Sequence, residues 1–570
     1  MHHRPLAAAA AAAVALATAL VVPATAGTAA AAPSNATGAT RYVVLAADGA
    51  SRSAAVAAIT RAGGTVVAEN HAIGAYTVEA GTGFAAAAGR QAALTGAVAD
   101  RVIGRTPTTP TRVDPNDEPA AARAARAKLA TRTAAAVPAT SSTEPLAGLQ
   151  WDMRMVKADQ ANNVNKGTHR VKVGIIDSGI DASNPDLAPN FDLELSRNFV
   201  TDIPAIDGPC EFAGCVDPVG HDDSGHGTHV AGTVAAAANG VGIAGVAPSV
   251  ALVQVRAGQD SGFLFLDPVL NAITYSADVG LDVVNMSFYV DPWLYNCTAN
   301  PADSPEAQAE QRTIIAAMTR AMTYAHGKNV TMVVSLGNNH EDLGNPRPDT
   351  SSPDYPPGTA YTRPIDNSSC SIFPIEGPYA IGVSALGPSG RKADYSNYGT
   401  EQITVSAPGG WFRDGLGTPS YRTDGNEVLS TYPVNRLQAL GQVDAAGNIV
   451  PGFENSVFKS CTETGQCGYY AYLQGTSMAA PHASGVAALV VSRWGGFAKG
   501  GFTLAPDSVE KVLTTSAEKH ACPAAGYETY VPEGRSTEFD AVCTGTLDFN
   551  GFYGHGIVDA LAVVSGPVRP

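Results

Sequence analysis

Val171-Lys172-Val173-Gly174-Ile175-Ile176-Asp177-Ser178-Gly179 is the stretch on which the fold turns. A short, nearly unbroken apolar run closed by an Asp-Ser-Gly turn reads as a strand buried on both faces, the pattern of a parallel sheet. A half-exposed strand would alternate apolar and polar residues instead. Asp177 then stands at the carboxyl end of that strand, where open α/β sheets gather their functional groups. Outward from it the chain alternates. Ser224 is expected to cap a helix through Ala237. Strands are expected at Ala251–Val255, Val283–Val284, Val330–Val334 and Tyr379–Val383, and helices at Leu266–Val279, Thr476–Val491 and Asp507–Thr515. Ser304-Pro305, a cap followed by proline at the first helical position, opens a further helix to about His326. Such alternation predicts an α/β fold, a parallel sheet with helices on both faces.

Three stretches interrupt the pattern, roughly 289–304, 339–375 and 408–470, all rich in Pro, Gly, Asn and Asp. They read as surface insertions in one domain. Ahead of it, Tyr42–Leu45, Ser51–Ala62, Thr65–Val67, Ala75–Val78, Phe84–Leu94 and Val98–Ile103 read as β-α-β-β-α-β, a small ferredoxin-like α+β unit over 41–103. Residues 104–147 are a Thr-, Pro- and Ala-rich linker in which Arg123, Arg126, Lys128 and Arg132 invite proteolysis. The large domain spans 148–566.

At the N-terminus, Arg4 precedes an uncharged apolar run from Leu6 to Val22, followed by small-residue exits at Ala24-Thr25-Ala26 and Ala30-Ala31-Ala32. That is the layout of an export signal over 1–32. No later segment supplies about 18 uninterrupted apolar residues, so no membrane association is expected once the signal is removed. The chain of 570 residues is 45% hydrophobic and 15% charged, enough apolar material for a large core. Its formal charge of −16 disfavours phosphate-mediated binding of nucleic acid. The eight cysteines all lie beyond residue 200. Export makes disulfides the expected state, and although eight cysteines allow 105 pairings, proximity favours Cys210 with Cys215, Cys461 with Cys467 and Cys522 with Cys543, leaving Cys297 with Cys370.

Four short motifs carry the chemistry. Asp177 could orient a neighbouring base. In Ser224-Gly225-His226-Gly227-Thr228-His229, glycines on either side of His226 let another chain approach the imidazole at a helix mouth, whereas His229, one turn on, reads as structural. Gln474-Gly475-Thr476-Ser477-Met478-Ala479-Ala480-Pro481-His482 delivers a serine to a helix start, where free N–H groups suit a developing oxyanion. Val333-Val334-Ser335-Leu336-Gly337-Asn338 runs a strand into a turn whose Asn338 could donate to the same oxyanion.

Together and in this order, these motifs resemble the subtilisin family of serine proteases. The matching text is Ile176-Asp177-Ser178-Gly179-Ile180-Asp181, His226-Gly227-Thr228-His229-Val230-Ala231-Gly232, Gly245-Val246-Ala247-Pro248 and Gly475 to His482. Gly554 to Ala560 is similar to the family's usual catalytic-domain terminus, so no further C-terminal domain is expected. The resemblance implies a secreted serine endopeptidase, monomeric and made as a zymogen, acting on peptide or protein substrates. Ser477 would be nucleophile, His226 general base and acid, Asp177 the orienting carboxylate, and Asn338 with the Ser477 N–H the oxyanion hole. The order Asp, His, Ser is that of subtilisins, and Gly475 to Ala479 lacks the G-x-S-x-G elbow of α/β-hydrolases. Ser287, Phe288, Tyr289 and Gly337 would border the substrate. Here Tyr289 and Val290 stand where the family carries two glycines, so specificity does not transfer, and a narrow processing role is the competing reading. The unit 41–103 resembles the family's inhibitory prodomain. The chemistry needs no cofactor. A structural calcium is implied at Asp186 and Asn239, with carbonyls of the loop Ala237–Ile243. Asp222-Asp223 reads first as a solvated acidic turn and second as a recognition element for basic substrate residues.

Overall fold

The computed structural model describes residues 40–100, 102–105, 142–290, 293–353, 358–498 and 501–570, with only the backbone given at 102–105, 290 and 498. The export segment and most of the 104–147 linker lie outside them.

The small N-terminal lobe is built from β1 (Thr40–Ala46), α1 (Arg52–Arg61), β2 (Thr65–Asn70), β3 (Ala75–Ala80), α2 (Phe84–Ala88) and β4 (Leu94–Ala99). Its sheet runs β2-β3-β1-β4, antiparallel throughout, the ferredoxin-like order. Ser51 caps α1 through its hydroxyl. Two expectations shift here. The second helix stops at Ala88, because Gly89 follows and Leu94 already turns into the sheet. The expected strand Val98–Ile103 is two strands: β4, and a separate β5 (Val102–Arg105) that leaves the lobe.

The large lobe holds a seven-stranded parallel sheet. Its strands are β6 (Lys172–Asp177), β7 (Arg197–Asn198), β8 (Ala251–Arg256), β10 (Val283–Met286), β13 (Thr331–Ser335), β15 (Ala380–Leu386) and β16 (Ile403–Pro408), ordered β16-β15-β13-β10-β6-β8-β7. The edge strands β7 and β16 escaped the sequence reading. β7 is two residues long, and Ile403–Pro408 mixes Thr and Ser among its apolar residues. Helices cover both faces. On one, α3 (His226–Ala235) and α6 (Thr476–Trp494) pack in a core with Val173, Ile175 and Val383. On the other, α4 (Leu266–Asp278) and α5 (Pro305–Gly327) pack with Ile176, Val253, Val255 and Met286. The same second core takes in Val43, Leu45, Ala75 and Val98 of the small lobe, so the two lobes share buried apolar surface.

Polar contacts reinforce that junction. Thr77 Oγ1 donates to Asp267 Oδ1 at 2.9 Å, Asn70 Nδ2 to Asn271 and Thr274 at 2.9 and 2.8 Å, and Arg320 to the Ala46 carbonyl at 2.8 Å. Beyond the lobe, β5 lies between β9 (Phe263–Phe265) and β11 (Tyr289–Val290), antiparallel to both.

The insertions are pinned as the cysteine spacing suggested. β12 (Asn296–Cys297) pairs with β14 (Cys370–Ser371), and Cys297–Cys370 joins the first two insertions. The third carries an antiparallel sheet of β17 (Val428–Tyr432), β18 (Val457–Cys461) and β19 (Cys467–Leu473), closed by Cys461–Cys467. Cys210–Cys215 and Cys522–Cys543 complete the set.

Candidate active site

Asp177 ends β6 with its side chain fully buried, and one oxygen also accepts from the Ser178 N–H at 2.8 Å. Its two oxygens meet His226 Nδ1 at 2.8 and 2.9 Å. Close backbone approach makes this possible. A Cβ on Gly227 would collide with the Gly179 carbonyl, so the glycine beside His226 lets α3 lie directly on the turn after β6. Burial disfavours the imidazolium, but the charge and hydrogen bond of Asp177 outweigh it and hold the His226 pKa above its ordinary value.

α3 begins one residue later than expected, and Ser224 is not its cap. Gly225 takes that place with φ +88°. The capping acceptor is Asp222, whose carboxylate receives the N–H groups of Ser224, Gly225 and Thr228 at 3.1, 2.9 and 3.0 Å and the hydroxyls of Ser178 and Thr228 at 3.0 and 2.6 Å. Asp222 is therefore a buried cap and not a solvated turn. Asp223 is engaged by His221 and Asn435. His229 is structural as read: its Nε2 faces the carbonyls of Val428 and Ala471, and burial pushes its pKa down to about 3.

Ser477 is the second residue of α6. Pro481, four residues on, has no N–H to offer the Ser477 carbonyl. That carbonyl accepts the Ser287 hydroxyl instead, at 2.9 Å. Ser287 in turn receives Asn285 Nδ2 at 2.8 Å, and Ser484 Oγ holds Asn285 Oδ1 at 2.9 Å. Ser477 Oγ lies 3.3 Å from the Ser287 carbonyl, to which it donates. His226 Nε2 makes no hydrogen bond among the described residues.

Asn338 Oδ1 accepts both the N–H and the hydroxyl of Thr476 at 2.9 Å, which fixes the amide plane and turns Nδ2 the other way. Gly475 has φ +153°, and a Cβ built on it would stand 3.5 Å from Asn338 Nδ2 and 3.6 Å from the Ser477 nitrogen. Two N–H donors thus flank one point beside Ser477. Sequence reading missed Thr476; its only signal was adjacency to the serine. The Gly337 N–H is spent on Thr476 Oγ1 at 3.1 Å, and Phe288 is buried. Tyr289 pairs with Arg105 of β5.

Away from the cleft, Asp186 is buried with Oδ2 accepting the Tyr470 hydroxyl at 2.8 Å and the Ile243 N–H at 3.0 Å. Its Oδ1 has no hydrogen-bond partner among the described residues. Burial, with the nearby Glu144 charge adding to it, pushes the Asp186 pKa up to about 7. Asn239 Oδ1 accepts the Val241 N–H, and Glu144 Oε2 the Gly240 N–H. Glu144 and Tyr470 belong to no recognisable motif and were not foreseen.

Residues 168–556, more than half of the chain, match the subtilase family, the S8 peptidases. The chain belongs to the subtilase family. It is accordingly a serine-type endopeptidase that needs no cofactor for catalysis. Among curated relatives, a thermophilic serine proteinase from Bacillus sp. strain AK1 is 27% identical over 69% of this chain and 67% of its own length. Thermitase from Thermoactinomyces vulgaris is 26% identical over 69% of this chain and 95% of its own. Among solved structures, the epidermin leader peptide processing serine protease of Staphylococcus aureus aligns with a TM-score of 0.60 at 20% identity, covering 93% of this chain and 99% of that one. Fervidolysin from Fervidobacterium pennivorans aligns at 0.53 and 21%, covering 93% and 61%. These two likenesses concern the fold. Among the described residues no helix is long and apolar enough to cross a membrane.

Proposed function

We propose that this subtilase hydrolyses peptide bonds with Ser477 as nucleophile, His226 as base and acid, and Asp177 as the orienting carboxylate. The observation that carries the reading is the buried Asp177–His226 pair, with Nε2 of His226 left unbonded among the described residues, on a helix that shares its core with the helix started by Thr476 and Ser477, where the Ser477 nitrogen and Asn338 Nδ2 lie near one point. With Nδ1–H held by Asp177, the lone pair of His226 sits on Nε2. The first step then needs Ser477 Oγ to turn off the Ser287 carbonyl and give its proton to that atom. Oγ attacks the substrate carbonyl, the oxyanion forms between the Ser477 N–H and Asn338 Nδ2, and His226 returns the proton to the leaving amine. Water repeats the sequence on the acyl-enzyme. Asp177 stabilises the imidazolium and keeps its own charge throughout. Ser287, Phe288, Tyr289 and Gly337 border the substrate chain.

The same reading makes residues 1–32 a secretion signal, 41–103 an inhibitory prodomain, 104–147 the linker cut on activation and 148–566 the protease. Its support is the strand β5, which fills the slot between β9 and β11 as a substrate strand would. Asp186 and Asn239, with Glu144, fit a structural calcium ion: the unpartnered, buried Asp186 Oδ1 and its neighbouring carboxylate are hard oxygen donors whose charge a cation would neutralise. Calcium there would fix the loop Ala237–Ile243 and take no part in the reaction. The test of the whole is Ser477→Ala. Peptide hydrolysis falls to background, as in subtilisin, where losing the nucleophile costs about 10⁶ in kcat; a variant keeping a tenth of wild-type activity overturns the assignment.

A further inference from the structure

Arg256 is the last residue of β8, fully buried, and stands opposite Asp177 in the register of β6 and β8. Its backbone neighbours already serve the site, since the N–H groups of Ala257 and Gly258 both donate to the Asp177 carbonyl at 3.0 and 3.1 Å. Its guanidinium turns the other way and gathers carboxylates from three separate segments. Nη1 donates to Asp217, and Nη2 to Asp202 Oδ1 at 2.9 Å and to Asp260 Oδ1 at 2.8 Å. Nε donates to the Gly258 carbonyl at 3.2 Å. Asp202 follows β7, Asp217 lies in the loop leading to His226, and Asp260 lies in the loop that leads into β9.

That last loop has no regular structure of its own. Besides Arg256, it is held by the Gln259 amide donating to the Thr201 carbonyl at 3.2 Å and by the Ser261 N–H and hydroxyl donating to Asp207 Oδ1 at 3.0 and 2.7 Å. Inside the loop the Gln259 N–H reaches the Phe263 carbonyl at 2.8 Å, which sets the first residue of β9. β9 is only three residues long and pairs with β5 on the face opposite β11. Its far end is anchored by buried Leu264 and by α4, which starts at Leu266, so its near end takes its place from the loop. A guanidinium presents its donors in one rigid fork, and here that fork ties the loop to the two segments behind it.

We propose that Arg256 is a positioning residue for extended substrates: through Asp260 it fixes the loop 257–262 and with it β9, one wall of the slot in which the substrate strand pairs. This rests on the reading of the β9–β11 slot as the substrate cleft. Chemistry at Ser477 does not pass through β9, so Arg256 governs binding of the long chain and not turnover of a bound acyl group.

The test compares two substrates on the same activated enzyme: a hexapeptide amide with five residues before the cleaved bond, and an N-acetyl amino-acid nitrophenyl ester with no strand to pair. Arg256→Met and Asp260→Asn are expected to raise KM for the hexapeptide at least tenfold with kcat within about twofold, and to leave the ester's kcat/KM within about twofold. Arg256→Lys, which keeps the charge without the fork, is expected to restore only part of the hexapeptide KM. Should Arg256→Met not fold, Asp260→Asn decides alone, because it leaves Asp202 and Asp217 paired. Equal losses on both substrates would show that the cluster merely supports the triad, and unchanged hexapeptide KM in Asp260→Asn would show that the loop is held without it; either overturns the proposal. A wild-type enzyme that cleaves the ester and binds the hexapeptide no better than a dipeptide refutes the cleft reading itself, whatever the variants do.

Discussion

At the scale of single residues, the roles separate by what each atom touches. Asn338 has its oxygen committed to Thr476, which leaves only its amide N–H groups for the reaction. In the proposed mechanism those donors meet charge that exists only in the transition state. Asn338→Ala is therefore expected to lower kcat by about 10²–10³, the size of the corresponding loss in subtilisin, with KM nearly unchanged. Steady-state kinetics checks it, and a raised KM with level kcat would make Asn338 a binding residue. His226 supplies a second prediction. In the proposed mechanism it works as a base only when neutral, and Asp177 raises its pKa above the ordinary value of 6.5 despite burial. Activity is accordingly lost as pH falls through that raised pKa, so the acidic limb of the kcat/KM profile has its midpoint above 6.5. Asp177→Asn removes the charge that raises it, and the midpoint of whatever activity remains moves to lower pH. A pH–rate profile of the two proteins measures the displacement, and coincident limbs would contradict it.

At the scale of elements, legibility followed local pattern. β6, β8, β13, α4, α5 and α6 were readable because each carries a largely apolar run or a helical period of its own. The Ser304-Pro305 start was legible to the residue, because cap chemistry is local. The start of α3 was not. Its cap comes from Asp222, three residues before Gly225, and a serine directly ahead of the helix offered the ordinary alternative. The division of Val98–Ile103 into β4 and β5 was invisible for a different reason. Only Asp100 and Arg101 interrupt the run, too few to mark a turn, and what separates the two strands is their partners, one sheet in the small lobe and another in the large one. At the site, the Asp177–His226 contact and the place of Ser477 at a helix start were legible through their flanking glycines. Thr476, Glu144, Tyr470 and Arg256 were not, because each acts through residues remote in sequence: Tyr470 reaches Asp186 across 284 positions.

At the scale of the molecule, the small lobe is tied to the large one by a shared core, by side-chain hydrogen bonds onto α4 and α5, and by β5 between β9 and β11. The first two hold the lobe; in the proposed function the third occupies the place of substrate. Added in trans to the activated enzyme, a fragment of residues 40–105 is expected to inhibit at least tenfold more tightly than one of residues 40–99, which keeps the docking face and lacks β5. Inhibition curves against a peptide substrate check this, and equal potency would mean that docking alone blocks the enzyme. The central claim, that Asp177 and His226 make Ser477 the nucleophile of this fold, is open to one more direct measurement. The activated protein is treated with a fluorophosphonate, digested and mapped by mass spectrometry. A single phosphonylated serine is expected, Ser477, with labelling abolished in His226→Ala although the serine is still present. An adduct on another serine, or equal labelling with and without His226, would contradict it.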